Sequence, residues 1–483
     1  MTRTAALTVA CAIGLFVGCA DGAEYFVAPD GGDNAPGTQA APASLARANQ
    51  AARPGDIINL LPGRYATPLS PAASGEPGNP ITFRSTEEHQ AVLGIGPQAR
   101  LAAIDLSGRG YIVVEGVAVY DVKRFIVGIG SHHLTIRDCH FEKGEGWESC
   151  RFRQTGDGIH LADNVFRYGT DLVSIEGGRF HHIEGNIFEH ANHSCLTLMA
   201  IENSVIRNNT FRNELMKLVE VFSGREGRAV EGIPTRRTLF EGNYFAYTAD
   251  YTRGGSSSVG MTLSGESVII RRNLISDCQA GFYLFLNTGN IESNHCLGNR
   301  ICHNIIYNCG HGGAFKYNGL ALIACGTGAS FGDNIAANNV IFGNRHSDGR
   351  HFQGFPGTTQ IGYQAGALPE DLRLLSNVIL QRQPGETVIA SITSGREQYT
   401  LAEYEEAHPE AASDNIDRDP GFVAANDRDF HRADTSPCID AGRPLTTAAA
   451  DGEGTELQVA DATWFSDGYG IIDGDTVRVG EGR

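Results

Sequence analysis

The sequence predicts an all-β solenoid, a parallel β-helix. Three observations point to it: an Asn-centred repeat with a short minimum period, strand-type residue patterning inside each copy, and an abundance of glycine. The chain has 483 residues, of which 60 are glycine and 18 proline. Glycine at roughly 12%, against a usual ~7%, without a G-X-Y period excludes collagen and calls for many tight turns. A hydrophobic content of 41% suffices for a sizeable core and argues against disorder over most of the length.

The first residues read as an export signal, assigned to 1–23. Arg3 is its positive region, Ala5 to Val17 its apolar run, and Gly18-Cys19-Ala20 or Ala23 its small-residue cleavage site. The apolar run is too short to span a bilayer, and no other stretch approaches the length of a transmembrane segment. The mature protein is therefore expected to be secreted, periplasmic or at the cell surface. Phe16-Val17-Gly18-Cys19 resembles a bacterial lipoprotein signal, which implies a lipid anchor on Cys19 as the alternative to release.

Residues 24–445 carry the solenoid. Its repeat is a β-branched or apolar residue, polar residues, Asn, then two apolar residues. Copies are Leu161-Ala-Asp-Asn164-Val-Phe, Ile183-Glu-Gly-Asn186-Ile-Phe, Ile206-Arg-Asn-Asn209-Thr-Phe, Phe240-Glu-Gly-Asn243-Tyr-Phe and Ile270-Arg-Arg-Asn273-Leu-Ile. Asn304, Asn339 and Asn377 continue the series, and Cys139 stands in the Asn place of an earlier copy. From Cys139 the steps are 25, 22, 23, 34, 30, 31, 35 and 38 residues, a constant coil that later carries loops. A 22-residue coil accommodates short strands and tight turns, and the alternating Val, Ile and Phe lack a helical period. Stacked parallel strands, ~4.8 Å apart, bury alternate side chains in one cylinder, and the Asn at each turn hydrogen-bonds its neighbours. Beyond the signal lie nine cysteines with no CxxC pair. They read as small buried hydrophobes, with one disulfide among Cys296, Cys302 and Cys309 as the alternative. Residues 446–483 form an acidic, Gly-rich tail, read as a small C-terminal β appendage.

Tyr25-Phe-Val-Ala-Pro-Asp-Gly-Gly-Asp, Pro54-Gly-Asp56-Ile-Ile-Asn-Leu-Leu-Pro62-Gly-Arg-Tyr65 and Gly78-Asn-Pro80-Ile-Thr-Phe83 resemble the opening of right-handed parallel β-helix proteins of the pectate lyase superfamily. Asp419-Pro-Gly-Phe422, Asp429-Phe-His431 and Ser436-Pro-Cys-Ile-Asp440-Ala-Gly442 are similar to their closing segment. The resemblance implies a right-handed coil, a short N-terminal capping helix near Ser44 to Ala52, and a first strand at Ile57 to Leu61. It leaves lyases, hydrolases, epimerases and non-catalytic surface proteins open.

With 38 basic and 56 acidic residues, the net charge of −18 makes nucleic acid a poor partner. A solenoid presents its substrate with an outer sheet face walled by loops, which suits a polysaccharide. A 23-residue offset stacks Asp171, Ser194 and Lys217 in one column and Ser174, Thr197 and Glu220 in another, with His193 at the edge. Lysine is scarce, being Lys123, Lys143, Lys217 and Lys316 alone. Uronate lyases remove a proton beside a carboxylate, which needs a base and a cation. The resemblance implies Lys or Arg as base and calcium as cation. The expected site therefore has Lys217 as favoured base, His193 assisting, Lys316 as a further catalytic candidate, and Asp171 and Glu220 as calcium ligands. A lysine capping a solvated corner is the plain alternative for Lys217. His190, Thr197, Tyr283 and Phe285 are candidate substrate contacts, the aromatics as stacking surfaces for sugars or as packing beneath loops. His160 and His182 should stack. His190-Ala-Asn-His193 lacks the helical setting of a zinc motif, and Gly326-Thr-Gly328 lacks the lysine of a phosphate loop. The function expected is cleavage of an acidic polysaccharide by β-elimination. Hydrolysis, epimerisation and carbohydrate binding without turnover remain alternatives.

Overall fold

A computed structural model describes residues 22–94, 102–212, 217–246, 259–278, 280–284, 295–309, 322–325, 330–344, 358–364, 366–391, 397–451, 453 and 455–478. The chain is a right-handed parallel β-helix. One sheet stacks the strands that precede the Asn turns, from Glu24–Gly32 through Ile57–Leu60, Ile81–Ser85 and onward to Ala412–Ser413. A second sheet bends around the coil and stacks the strands that follow those turns. In two coils the bend lies inside single long strands, Val165–Glu176 and Ile187–Met199, with an irregularity between Gly169 and Asp171. The coil begins one strand before the expected Ile57 start, because Glu24–Gly32 pairs in register with Ile57–Leu60. No described helix is long and apolar enough to cross a membrane. Residues 1–21, with Cys19, lie outside the described residues.

The interior is the stacked apolar set required by the strand alternation. Phe141, Phe166, Phe188, Phe211 and Phe245 lie face to face, with successive ring centroids 4.9, 5.1, 4.9 and 5.2 Å apart. The Asn residues form the expected ladder. Asn186 Oδ1, for example, accepts from both the backbone N–H and Nδ2 of Asn164, while Asn186 Nδ2 donates to Leu161 O and Asn209 Oδ1. The ladder runs one step beyond Asn377 to Asn415, whose N–H and Nδ2 donate to Glu405 of the helix Leu401–Ala407. That helix, begun by a Thr400–Glu403 capping box, complements the N-terminal helix Leu45–Ala51 with its Ser44 cap. Two shorter ladders, Asn299–Asn334 and Asn344–Gln360, were not visible in the repeat.

Cys139, Cys150, Cys195, Cys278, Cys296, Cys302 and Cys309 are buried, as read for small core hydrophobes. Among its described residues the tail makes one isolated antiparallel bridge, Ala448–Val459, and one 3-10 turn, Gly468–Gly470, and otherwise lies as an irregular strap. Trp464 packs with Cys302, Ile335 and Ala337. Tyr469, Ile471 and Ile472 cover Val205, Leu239 and Ile269. Arg271 fastens the end through both carboxylate oxygens of Asp475, at 2.5 and 2.6 Å.

Candidate functional site

The constant period between residues 148 and 222 brings side chains of four successive coils to one outer face. Strand pairing sets Glu148, Asp171, Ser194 and Lys217 side by side in one column. A second column runs Arg151, Ser174, Thr197, Glu220, Thr262 and Tyr283. Both contain the expected triplets. Leu172, Val173, Leu196 and Val219 turn inward and are fully buried, so the polar side chains on either side of them are held on a rigid floor.

His193 is the centre of this face. Its Nδ1 lies 2.6 Å from Asp171 Oδ1 and 3.9 Å from Glu220 Oε2. An ionised carboxylate only accepts, so the short contact places the proton on Nδ1 and leaves the lone pair of the neutral ring at Nε2. The Asp171 hydrogen bond raises the His193 pKa above its ordinary value. Burial raises that of Asp171, and the bond from His193 only partly offsets this. Lys217 Nζ contacts Glu220 Oε1 directly. The hydroxyls of Thr197 and Thr262, which flank Glu220 in the column, are buried without a hydrogen-bond partner.

Cations surround these groups. Glu148 is gripped by Arg151 at 2.6 Å and Arg153 at 2.8 Å. Burial alone would raise the Glu148 pKa, but the two guanidinium groups outweigh it and hold the carboxyl below its usual value. Arg124, one coil below, lies within electrostatic reach of all three, and burial lowers its pKa. From the segment after Lys217–Phe222, Arg225 stacks on Phe222 with its guanidinium carbon 3.9 Å from the ring centre, and Arg228 lies 3.5 Å from Glu176. Burial lowers the Arg225 pKa against the opposing pull of Glu220. Arg124, Arg151, Arg153, His193, Lys217, Arg225 and Arg228 thus face four carboxylates, Glu148, Asp171, Glu176 and Glu220, in a chain of net charge −18. At the rim stands Trp147, 64% exposed, its ring 5.5 Å from that of His193.

The structure brings Lys217, His193, Asp171, Glu220 and Thr197 together. His190 lies one turn away, its ring stacked on Tyr168 at 4.7 Å. Tyr283 continues the Glu220 column by strand register; its side chain, Phe285 and Lys316 lie outside the described residues. His160 and His182 stack at 4.7 Å as expected. His181 is structural: fully buried, it accepts from Ile159 N–H and contacts Gly177 O, and burial lowers its pKa to about 4. The Asp171–Glu220 pair does not fit calcium. That ion takes six to eight oxygen ligands, whereas these carboxylates are occupied by His193 and Lys217. Among the described residues, no three His, Cys, Asp or Glu side chains are grouped to hold a metal. Trp147, Glu148, Arg151, Arg153, Arg225 and Arg228 were missed. The available signal was the same offset carried one coil down from Asp171 to Glu148.

No protein-family model matches the sequence. A curated relative, the uncharacterized protein YwoF of Bacillus subtilis, is 28% identical over 129 residues, which cover 24% of this chain and 28% of the relative. The matched stretch thus spans under a third of that protein's length. Among solved structures, the chain is similar in fold to the GH136 lacto-N-biosidase of Eubacterium ramulus, at 12% identity and a TM-score of 0.43, over 74% of this chain and 64% of that one. It is also similar to the PL6 family alginate lyase AlyGC, at 14% identity and a TM-score of 0.45, over 89% of this chain and 60% of that one. The chain spans under two thirds of the length of either.

Proposed function

We propose that this face binds an acidic, uronate-containing polysaccharide and cleaves it by β-elimination, with His193 as general base. The observation that carries the reading is the Asp171–His193 hydrogen bond, set inside a cationic face of an otherwise acidic chain. Asp171 orients the imidazole with Nε2 as the accepting atom and stabilises the imidazolium formed on proton transfer. Lys217 and Arg225 then supply the positive charge that β-elimination needs as charge develops on the substrate carboxylate. The expected roles of Lys217 and His193 are thereby exchanged: Lys217 is engaged by buried Glu220 and acts as the charge partner, whereas the imidazole has the free lone pair. As the C–H bond beside the carboxylate breaks, its electrons form the new C=C bond and the C–O bond to the leaving sugar breaks. The imidazolium returns the proton to the departing oxygen. Trp147 offers a stacking surface for a sugar ring.

Incubation with alginate, pectate, chondroitin sulfate and heparin, read by the ultraviolet absorbance of unsaturated uronate, tests the reading. Unsaturated product lost in His193→Ala is expected. Binding without product would leave a carbohydrate-binding protein. A second reading, hydrolysis, rests on the carboxylates. Asp171 and Glu220 contact the same nitrogen at 2.6 and 3.9 Å, so those oxygens stand no more than 6.5 Å apart, a bound that admits the roughly 5–5.5 Å spacing of retaining glycosidases. New reducing ends without unsaturation would establish it.

A further inference from the structure

Beside the His193 face, a groove of about 400 Å³ is lined by Lys143, Glu145, Tyr168, Thr170, His190 and Asn192. We propose that this groove is a sugar subsite that binds a uronate residue of the polymer next to the one undergoing reaction; it rests on reading the neighbouring face as acting on an acidic polysaccharide.

Three observations carry it. The first is continuity. Thr170 and Asn192 immediately precede Asp171 and His193 in the chain, and exposed Trp147, two residues after the groove-lining Glu145, stands against His193. A polymer lying over His193 therefore extends into the groove.

The second is the choice of residues at its corner. Strand register stacks Asp121, Lys143, Tyr168 and His190, one residue beyond the aligned Tyr120, Glu142, Arg167 and Glu189. All four are left-handed, with φ of 53°, 62°, 57° and 62°. At the other left-handed corner of the same coils, before the Asn ladder, the chain uses Gly116, Asp138, Asp163 and Gly185, the residue types that tolerate this conformation. Lys143 and Tyr168 occupy positions where Asp, Asn or Gly would be easier, a backbone cost that points to a use for their side chains.

The third is chemistry. The Tyr168 and His190 rings lie parallel, 4.7 Å apart and 7° from coplanar, and Tyr168 remains 43% exposed. That is a platform for the apolar face of a sugar ring, with Thr170 and Asn192 at hand for its hydroxyls. Lys143 is well exposed, and its ion-pair contact among the described residues is exposed Asp121, 3.5 Å away. Such a pair is weak in water, so the ammonium is available to a substrate carboxylate.

The test is calorimetric titration of the full chain, in a His193→Ala background that stops turnover, with hexasaccharides of mannuronate, guluronate and galacturonate and with neutral xylohexaose. Tyr168→Asn and Lys143→Asn suit the left-handed backbone, and an unchanged Tm verifies that each remains folded. The expected result is binding of at least one uronate hexamer in preference to xylohexaose. Tyr168→Asn should weaken it roughly three- to tenfold, and Lys143→Asn should weaken it and flatten its salt dependence. Uronate binding unaltered by both variants would overturn the subsite while leaving the elimination reading intact. Tyr168-dependent uronate binding with no turnover of any uronate polymer by the wild type would keep the subsite and remove the elimination reading. Equal affinity for xylohexaose, or no binding of any hexamer, would overturn the proposal.

Discussion

Replacing Asn209 by Ala removes one rung from the middle of the ladder that closes each coil. Asn209 is 1% exposed. Its Oδ1 accepts from the backbone N–H and Nδ2 of Asn186, both at 3.0 Å. Its Nδ2 donates to Ile183 O and Arg207 O, both at 2.9 Å, and to Asn243 Oδ1 at 3.0 Å. The bond from the Asn209 backbone N–H to Asn243 Oδ1 survives the change. Five hydrogen bonds are lost, each with a net worth of about 0.5–1.5 kcal/mol, and the backbone N–H of Asn186 is left without its acceptor. The expected destabilisation is about 3–5 kcal/mol, at the upper end of single substitutions. Because a solenoid is held coil by coil, the loss should appear first locally. Hydrogen–deuterium exchange should accelerate across residues 183–212 while the N-terminal coils stay protected, and urea unfolding should report the magnitude. A loss below about 1 kcal/mol, with no change in exchange, would refute the premise that the ladder closes the coils.

Three further outcomes are expected. In Asp171→Asn the His193 titration followed by NMR should move down, because the charged acceptor that raises it is replaced by a neutral amide. A general base works when deprotonated, so the acid limb of the rate profile should shift to lower pH and its plateau should fall. The depressed pKa of buried His181 contributes stability that is full above about pH 6.5 and lost as pH falls toward about 4; His181→Asn should flatten that acid limb, worth at most about 3 kcal/mol in thermal or urea melts. Trp464→Ala should free the tail, so that limited proteolysis trims residues beyond Pro444 while circular dichroism of the coil is unchanged.

The coil and its registers were readable because the shortest steps are constant. A 22- or 23-residue offset aligns Asp171 with Ser194 and Lys217, and Ser174 with Thr197 and Glu220, as the strand pairs do. The one-residue change of step coincides with the irregularity between Gly169 and Asp171. The cationic rim was hidden for two reasons. Arg151, Arg153 and Glu148 lie in the coil whose Asn place holds Cys139, where the repeat is weakest, and Arg225 and Arg228 reach back from a segment outside the repeat. The tail was unreadable for another reason: Arg271 and Asp475 are 204 residues apart, and no local pattern indicates which coils a Gly-rich strap will cross. Among the described residues the shorter ladders have two members each, too few to register as a period.

The Asp171–His193 pair at the centre of the cationic face is tested most directly by incubating wild-type protein and His193→Ala with uronate polymers and following unsaturated uronate as the chain is cut. Wild-type protein should form unsaturated ends from at least one polymer, and His193→Ala, folded to the same Tm, should lose roughly 10²–10⁴-fold in rate. Unsaturated product formed at an undiminished rate by His193→Ala, or reducing ends released without unsaturation, would contradict it.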